Sequence, residues 1–217
     1  QALAEAFRDG EHFPPDHAYQ IISLPFIGET FMSMNEDQHR VWRPPMTHSF
    51  RRHVIDQMDQ HQLARIGHDI LDLLDGKTET DWVKSFTRRY AFRVICHQLG
   101  LPIEQEDCYY QWSMDLMFGG RDLESSRVAD GKLTAMVKPI INARRQDPRD
   151  DQISRWLNTS IAGKEISEAA ILAHIRLFFT AGATTTSDAM SNLFHALLTH
   201  PDDWERCVAE PQIQPQA

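Results

Sequence analysis

Two clusters of side chains in this sequence have the types and spacings that do chemistry. The first is Ala181-Gly182-Ala183-Thr184-Thr185-Thr186, three hydroxyls beside a glycine in a stretch otherwise rich in Ile, Leu, Phe and Ala. A polar group buried without a partner costs about 1–3 kcal/mol, so these hydroxyls need acceptors. One reading returns them to carbonyls a turn earlier, which bends the helix. The other makes the segment a notch: glycine removes a side chain where a small ligand approaches, and a threonine beside it offers a hydrogen bond. The second cluster is His39-Arg40-Val41-Trp42-Arg43. On a helix His39 and Arg43 share a face. Together they suit a carboxylate or phosphate, or else form an ordinary solvated basic face with Arg40.

The elements that must position these clusters are helices. Glu165 to His200 reads as one long apolar helix carrying the notch, with Ser167 able to cap it and His200-Pro201 marking its end; Asp202 opens the next. Residues 2–8 predict a short helix stopped by Asp9-Gly10. His12 to Met34, with Pro14, Pro15, Pro25 and Gly28, reads as a long, unusually apolar loop through Tyr19, Ile21, Ile22, Leu24, Phe26, Ile27 and Phe31. A polar helix begins at Glu36, and Pro44-Pro45 should kink or end it. Apolar residues at helical spacing predict further helices over Arg51–Leu74 (Met58, Ile66, Ile70, Leu73, Leu74), Asp81–Leu99, Glu104–Phe118, Asp130–Arg145 and Ile153–Leu157. Strand alternation shows at most over Asn158–Ile161. With no repeat and no linker, residues 1–217 read as a single all-α unit.

The formal net charge of −9 argues against nucleic acid as a partner. Cys96, Cys108 and Cys207 are few, scattered and without a CxxC, which fits a reducing compartment and a cytoplasmic location. The histidines, His61, His68 and His97 among them, show no metal-ligand spacing. No signal peptide or membrane anchor is expected: Ile166–Leu198 is long enough to span a bilayer, but His174, Arg176, Asp188 and His195 interrupt it. A metal-dependent isoprenoid enzyme would need a DDxxD-type cluster. The nearest match, Asp147 with Asp150-Asp151, contains Pro148 and reads as a turn.

Five motifs in order carry a resemblance. They are the helix Met34–Arg43 with His39 and Arg43, its exit Ser49-Phe50-Arg51-Arg52, the helix end Ala91–Pro102, the notch, and His200-Pro201 followed by Trp204. Together they resemble the cytochrome P450 monooxygenases of soluble bacterial type, collinear over nearly the whole chain. The notch is similar to the family's Ala/Gly-Gly-x-Asp/Glu-Thr-Thr/Ser through Ala181, Gly182, Thr185 and Thr186. The resemblance implies the helical distal half of that fold, with His39 and Arg43 binding the propionates of haem b. It implies that Ala181 and Gly182 border the dioxygen groove, and that Thr185 helps protonate the outer oxygen. It places Tyr19, Ile22, Leu24, Phe26, Ile27 and Phe178 on the substrate side. It implies an apolar small-molecule substrate and electrons from NAD(P)H through a ferredoxin-type redox partner.

Three departures qualify what is implied. Thr184 stands where the family has its acid, so the usual carboxylate of the proton relay is missing. Pro44-Pro45 should distort the propionate helix. The residues given stop before the family's Glu-x-x-Arg helix and cysteine loop, and none of the three cysteines has that context. The 217 residues are therefore expected to be inactive alone and, with an apolar helix uncovered, to self-associate. The alternative is a non-catalytic all-α haem or apolar-ligand carrier derived from the same fold.

Overall fold

Side-chain caps set where four of the helices start. In the computed structural model, which describes residues 2–6, 8–57 and 60–210, Asn35, Asp122, Asp151 and Ser167 each accept a backbone N–H of the first turn that follows them. The order is α1 (Ala2–Ala6), α2 (Pro15–Ile22), α3 (Leu24–Ile27), α4 (Glu36–Met46), α5 (Arg52–Gln57), α6 (Gln60–Asp72), α7 (Arg88–Leu99), α8 (Glu106–Met117) and α9 (Leu123–Gln146). Then come α10 (Gln152–Leu157), a two-stranded antiparallel hairpin of β1 (Ser160–Ile161) and β2 (Lys164–Glu165), α11 (Glu168–Leu177), α12 (Thr184–Thr199) and α13 (Pro201–Ala209). The fold is mainly helical, as expected.

Several expectations need correction. The His12–Met34 stretch is not a loop: α2, α3 and a 3-10 turn at Phe31–Ser33 occupy most of it. Its prolines lie before or within first turns, where the missing N–H has no intrahelical acceptor anyway. The long helix begins at Glu168, because β2 takes Glu165. The helix expected from Asp130 starts at Leu123, with Asp122 accepting from Glu124 and Ser125. Of the face expected over Arg51–Leu74, Ile70 is buried but Leu73 is exposed, and Met58 lies outside the described residues, as do Phe7 and the side chain of His61.

The core runs along α11. Ile171, Ile175 and Phe179 pack with Phe92 and Leu99 of α7, Tyr109 and Leu116 of α8, and Leu133, Val137 and Ile141 of α9. Each such side chain contributes about 1.5–3 kcal/mol on burial. Where α7 ends, Gly100 adopts φ 78°, and a Cβ there would collide with Asp151. Asp151 also caps α10 and pairs with buried Arg144 of α9 at 2.6 Å, and Arg144 donates in turn to the Gly100 carbonyl. Three helix ends are thus tied at one buried pair. Arg176 does the same for α3, α9 and α11: it pairs with Asp130 and donates to Thr134 Oγ1 (2.8 Å) and the Ile27 carbonyl (3.2 Å).

Candidate functional site

The notch is the seam of one continuous helical run. Between α11 and α12, Phe178–Ala183 forms a widened π turn, a feature frequent at functional sites. The carbonyls of Thr180, Ala181 and Gly182 each accept a threonine hydroxyl four residues on, from Thr184 (2.5 Å), Thr185 (2.6 Å) and Thr186 (2.6 Å). The hydroxyls therefore do bond back to the helix. The three differ in surroundings. Thr184 is 5 % exposed, packed into the core, whereas Thr185 and Thr186 are exposed. A hydroxyl that has donated its hydrogen still carries a lone pair, so Thr185 can accept without leaving Ala181.

An apolar cavity of about 460 Å³ opens beside this turn. Phe178, Ala181, Gly182 and Thr186 form one wall; Phe31 and Met32 of the 3-10 turn, Tyr19 of α2 and Phe50 form another. Tyr90, Val94 and Ile95 close it from α7 and its neighbourhood. Gly182 also lets α7 approach: a Cβ there would stand 3.1 Å from Ile95 Cδ1. Phe178 stacks on Phe50 at 4.8 Å and on Trp156 at 6.1 Å, while Phe179 is buried in the core.

Of the residues expected on the substrate side, Tyr19 and Phe178 line this cavity and the others do not. Ile22 is 61 % exposed and Leu24 is also exposed. Ile27 is buried in the core, and Phe26 fills the space over Gly119 at the α8–α9 corner. Folding the supposed loop into α2 and α3 turned these side chains away. Thr184 and Thr185 are likewise off the cavity, and Thr186 is on it. Phe31, Met32, Val94 and Ile95 were missed as lining residues. Their apolar character alone looked like core, and only the three-residue spacing of Ala91 and Val94 hinted at a shared face.

His39 and Arg43 do share a face of α4. Pro44 and Pro45 leave the helix intact to Met46, contrary to expectation. The carbonyls that lose donors are those of Arg40 and Val41, on exposed residues where water serves, and the proline carbonyls are taken up by Arg51 (3.3 Å) and Gln152 (3.2 Å). His39 Nδ1 donates to the Phe31 carbonyl at 2.8 Å, since a carbonyl only accepts. That leaves Nε2 without a partner among the described residues; Arg43 is exposed, and its guanidinium is equally free. His39 opens onto a second cavity of about 900 Å³, whose wall includes Tyr19 and Met32. Those two side chains also line the first cavity, so His39 and the notch stand on either side of one shared partition, while Arg43 lines neither cavity.

Among the described residues no cluster of His, Cys, Asp or Glu could hold a metal ion, and no helix is long and apolar enough to cross a membrane. Asp147, Asp150 and Asp151 point to three different arginines, Arg149, Arg155 and Arg144. None of the cysteines reaches the cavity. Cys96 is fully buried and its thiol pKa is pushed up by that burial, Cys108 is exposed, and Cys207 lies on α13.

The chain is similar in sequence and fold to known proteins. A steroid C26-monooxygenase of Mycolicibacterium smegmatis is 27 % identical over 234 residues, covering 100 % of this chain and 55 % of the relative. A putative cytochrome P450, YjiB of Bacillus subtilis, is 25 % identical over 200 residues, 88 % of this chain and 50 % of the relative. The chain spans about half the length of the curated relatives it matches. Among solved structures, the enzyme CxnD for C–S bond formation in chuangxinmycin biosynthesis superposes with a TM-score of 0.78 at 24 % identity, covering 92 % of this chain and 49 % of that one. CYP109E1 of Bacillus megaterium in complex with testosterone gives 0.75 at 23 %, covering 93 % and 56 %. The sequence profile described as Cytochrome P450 matches residues 103–213, more than half the chain. The chain belongs to the cytochrome P450 family.

Proposed function

We propose that this chain is the distal, helical part of a haem-thiolate monooxygenase that inserts one oxygen atom from dioxygen into an apolar small molecule. The observation that carries the reading is the donor pair on α4. The Arg43 guanidinium and, in the imidazolium, His39 Nε2–H have no partner among the described residues; on one helix face they fit a group bearing carboxylates, and the cavity across the partition from His39 is apolar. When bound, haem b supplies the oxygen activation, with electrons from NAD(P)H through a ferredoxin-type partner. His39 and Arg43 would hold its propionates. Ala181 and Gly182 would leave the helix surface low enough for a diatomic ligand, and Thr185, exposed beside the cavity wall rather than on it, would be the hydroxyl that passes a proton there. Thr184 cannot stand in for the family's acid in this arrangement, because its hydroxyl is buried and committed to Thr180. Phe178 and Tyr19 bound the substrate side. The protein is expected to act in the cytoplasm.

Hemin titration of the chain tests this reading. Replacing both His39 and Arg43 by Ala should weaken binding by at least about tenfold, as for the loss of charge-assisted hydrogen bonds. Equal affinity of the double variant would reject it. With haem loaded, reduced and exposed to carbon monoxide, these residues should give no thiolate-type Soret band, since all three cysteines lie off the cavity. A thiolate band from this polypeptide would contradict that. Tight, monodisperse hemin or apolar-ligand binding would favour the carrier reading instead, because the exposed face of α12 otherwise predicts self-association in sedimentation.

A further inference from the structure

His174 sits in the middle of α11, fully buried among Phe31, Trp42 and Trp156. A leucine would fill that apolar site without the cost of desolvating an imidazole. Both ring nitrogens are nevertheless spoken for. Nδ1 lies 2.7 Å from the Ala170 carbonyl and must donate to it. Nε2 lies 3.2 Å from the Phe31 amide and must accept from it. Only the neutral Nδ1–H tautomer satisfies both, and burial keeps the ring neutral by lowering its pKa to about 4. On the far side of the same peptide turn, the Phe31 carbonyl accepts His39 Nδ1–H. The direction of every bond between Ala170 and His39 is therefore fixed, because the Ala170 and Phe31 carbonyls can only accept and the Phe31 N–H can only donate.

We propose that His174 is a positioning residue: by accepting the Phe31 N–H it fixes the turn whose carbonyl anchors His39 Nδ1–H, and so aims Nε2 outward to an anionic partner. The proposal rests on the haem reading above for the identity of that partner, not for the relay itself. Only as the imidazolium, with both nitrogens protonated, does Nε2–H donate to a carboxylate and add charge, while Nδ1–H stays anchored to the Phe31 carbonyl. Trp42, stacked on His174 with 7° between the planes, ties α4 to the same imidazole and keeps the helix from rotating His39 away.

The test uses the full chain, labelled with ¹⁵N at histidine and without haem. In the parent protein the neutral imidazole of His39 should show the Nδ1–H tautomer; finding Nε2–H would overturn the proposal by itself. In H174L the Phe31 turn loses its anchor, and the His39 nitrogens should move to the averaged shifts of a free imidazole. H174Q, whose amide can accept from Phe31, should restore them. An H174L protein with parental circular dichroism and unchanged His39 shifts would refute the relay. In the loaded arm, H174L should weaken hemin binding about fivefold, the scale of one hydrogen bond, with no further loss in an H39A background. Losses that add in H39A would mean that His174 acts only as core. Failure of hemin to bind any variant would reject the cofactor reading, while the haem-free arm still decides the relay.

Discussion

The two halves of the long C-terminal helical run differ in composition and in surroundings: α11 is mostly aliphatic, whereas α12 opens on Thr, Ser and Asp. In α11, six of the ten residues are buried, and the polar ones among its neighbours are bonded inside the protein. In α12 only Thr184 and Ser187 are buried, and although the helix is richer in Thr, Ser and Asn, its Leu193 and Leu198 still lie exposed. The π turn with the notch falls at the junction. A run of Ile, Leu, Phe and Ala says that a helix wants cover, but neighbours decide whether it gets it. Polar groups in α11 must find protein partners; those on the open side of α12 can use water.

The comparison breaks most clearly under truncation. Ile171→Ala or Ile175→Ala should cost about 2–5 kcal/mol in urea unfolding, whereas Leu198→Ala, at 64 % exposure, should stay within about 0.5 kcal/mol. A comparable loss at Leu198 would mean that α12 is covered in solution. Next in size is pH. His174 falls from its ordinary 6.5 to about 4 in the folded protein, so the unfolded chain binds the extra proton between those values. Stability should be complete above pH 6.5 and decline on acidification towards pH 4, by about 3 kcal/mol. Denaturation midpoints across that range should lose this slope in H174L.

Smaller effects sharpen the contrast at the notch. Thr184→Val removes a buried donor from the Thr180 carbonyl and should cost about 1 kcal/mol, while Thr185→Val, in reach of water, should be nearly neutral. Equal losses in thermal unfolding would erase the distinction between the buried and open sides. Smallest is Gly182→Ala, where improved helix propensity opposes contact with Ile95 Cδ1. The net change should be under about 1 kcal/mol and become stabilising in an I95V background.

Much of the site was legible because it is local. His39 and Arg43 share a face by helical spacing alone, and Ser167 caps its helix because its hydroxyl reaches an amide three residues on. The hydroxyls of the notch needed acceptors wherever they lay, and the nearest carbonyls took them. The substrate side was not legible. Ile22, Leu24, Phe26 and Ile27 are as apolar as Phe31 and Met32, and only the turn into α2 and α3 decided which faced the cavity. Pro44-Pro45 misled for a related reason: a helix ending one residue later, with Arg51 and Gln152 at hand for the proline carbonyls, loses little by keeping them.

By itself, the sequence determined the helices, their caps and which residue types could grip an anion or flank a small ligand, since these depend on side chains within a few positions of one another. The tertiary structure alone decided that His174, Phe31 and His39 form one line across 143 and 8 residues of separation. It also decided which threonine lost access to solvent. Those choices belong to packing between distant segments, and no local spacing encodes them.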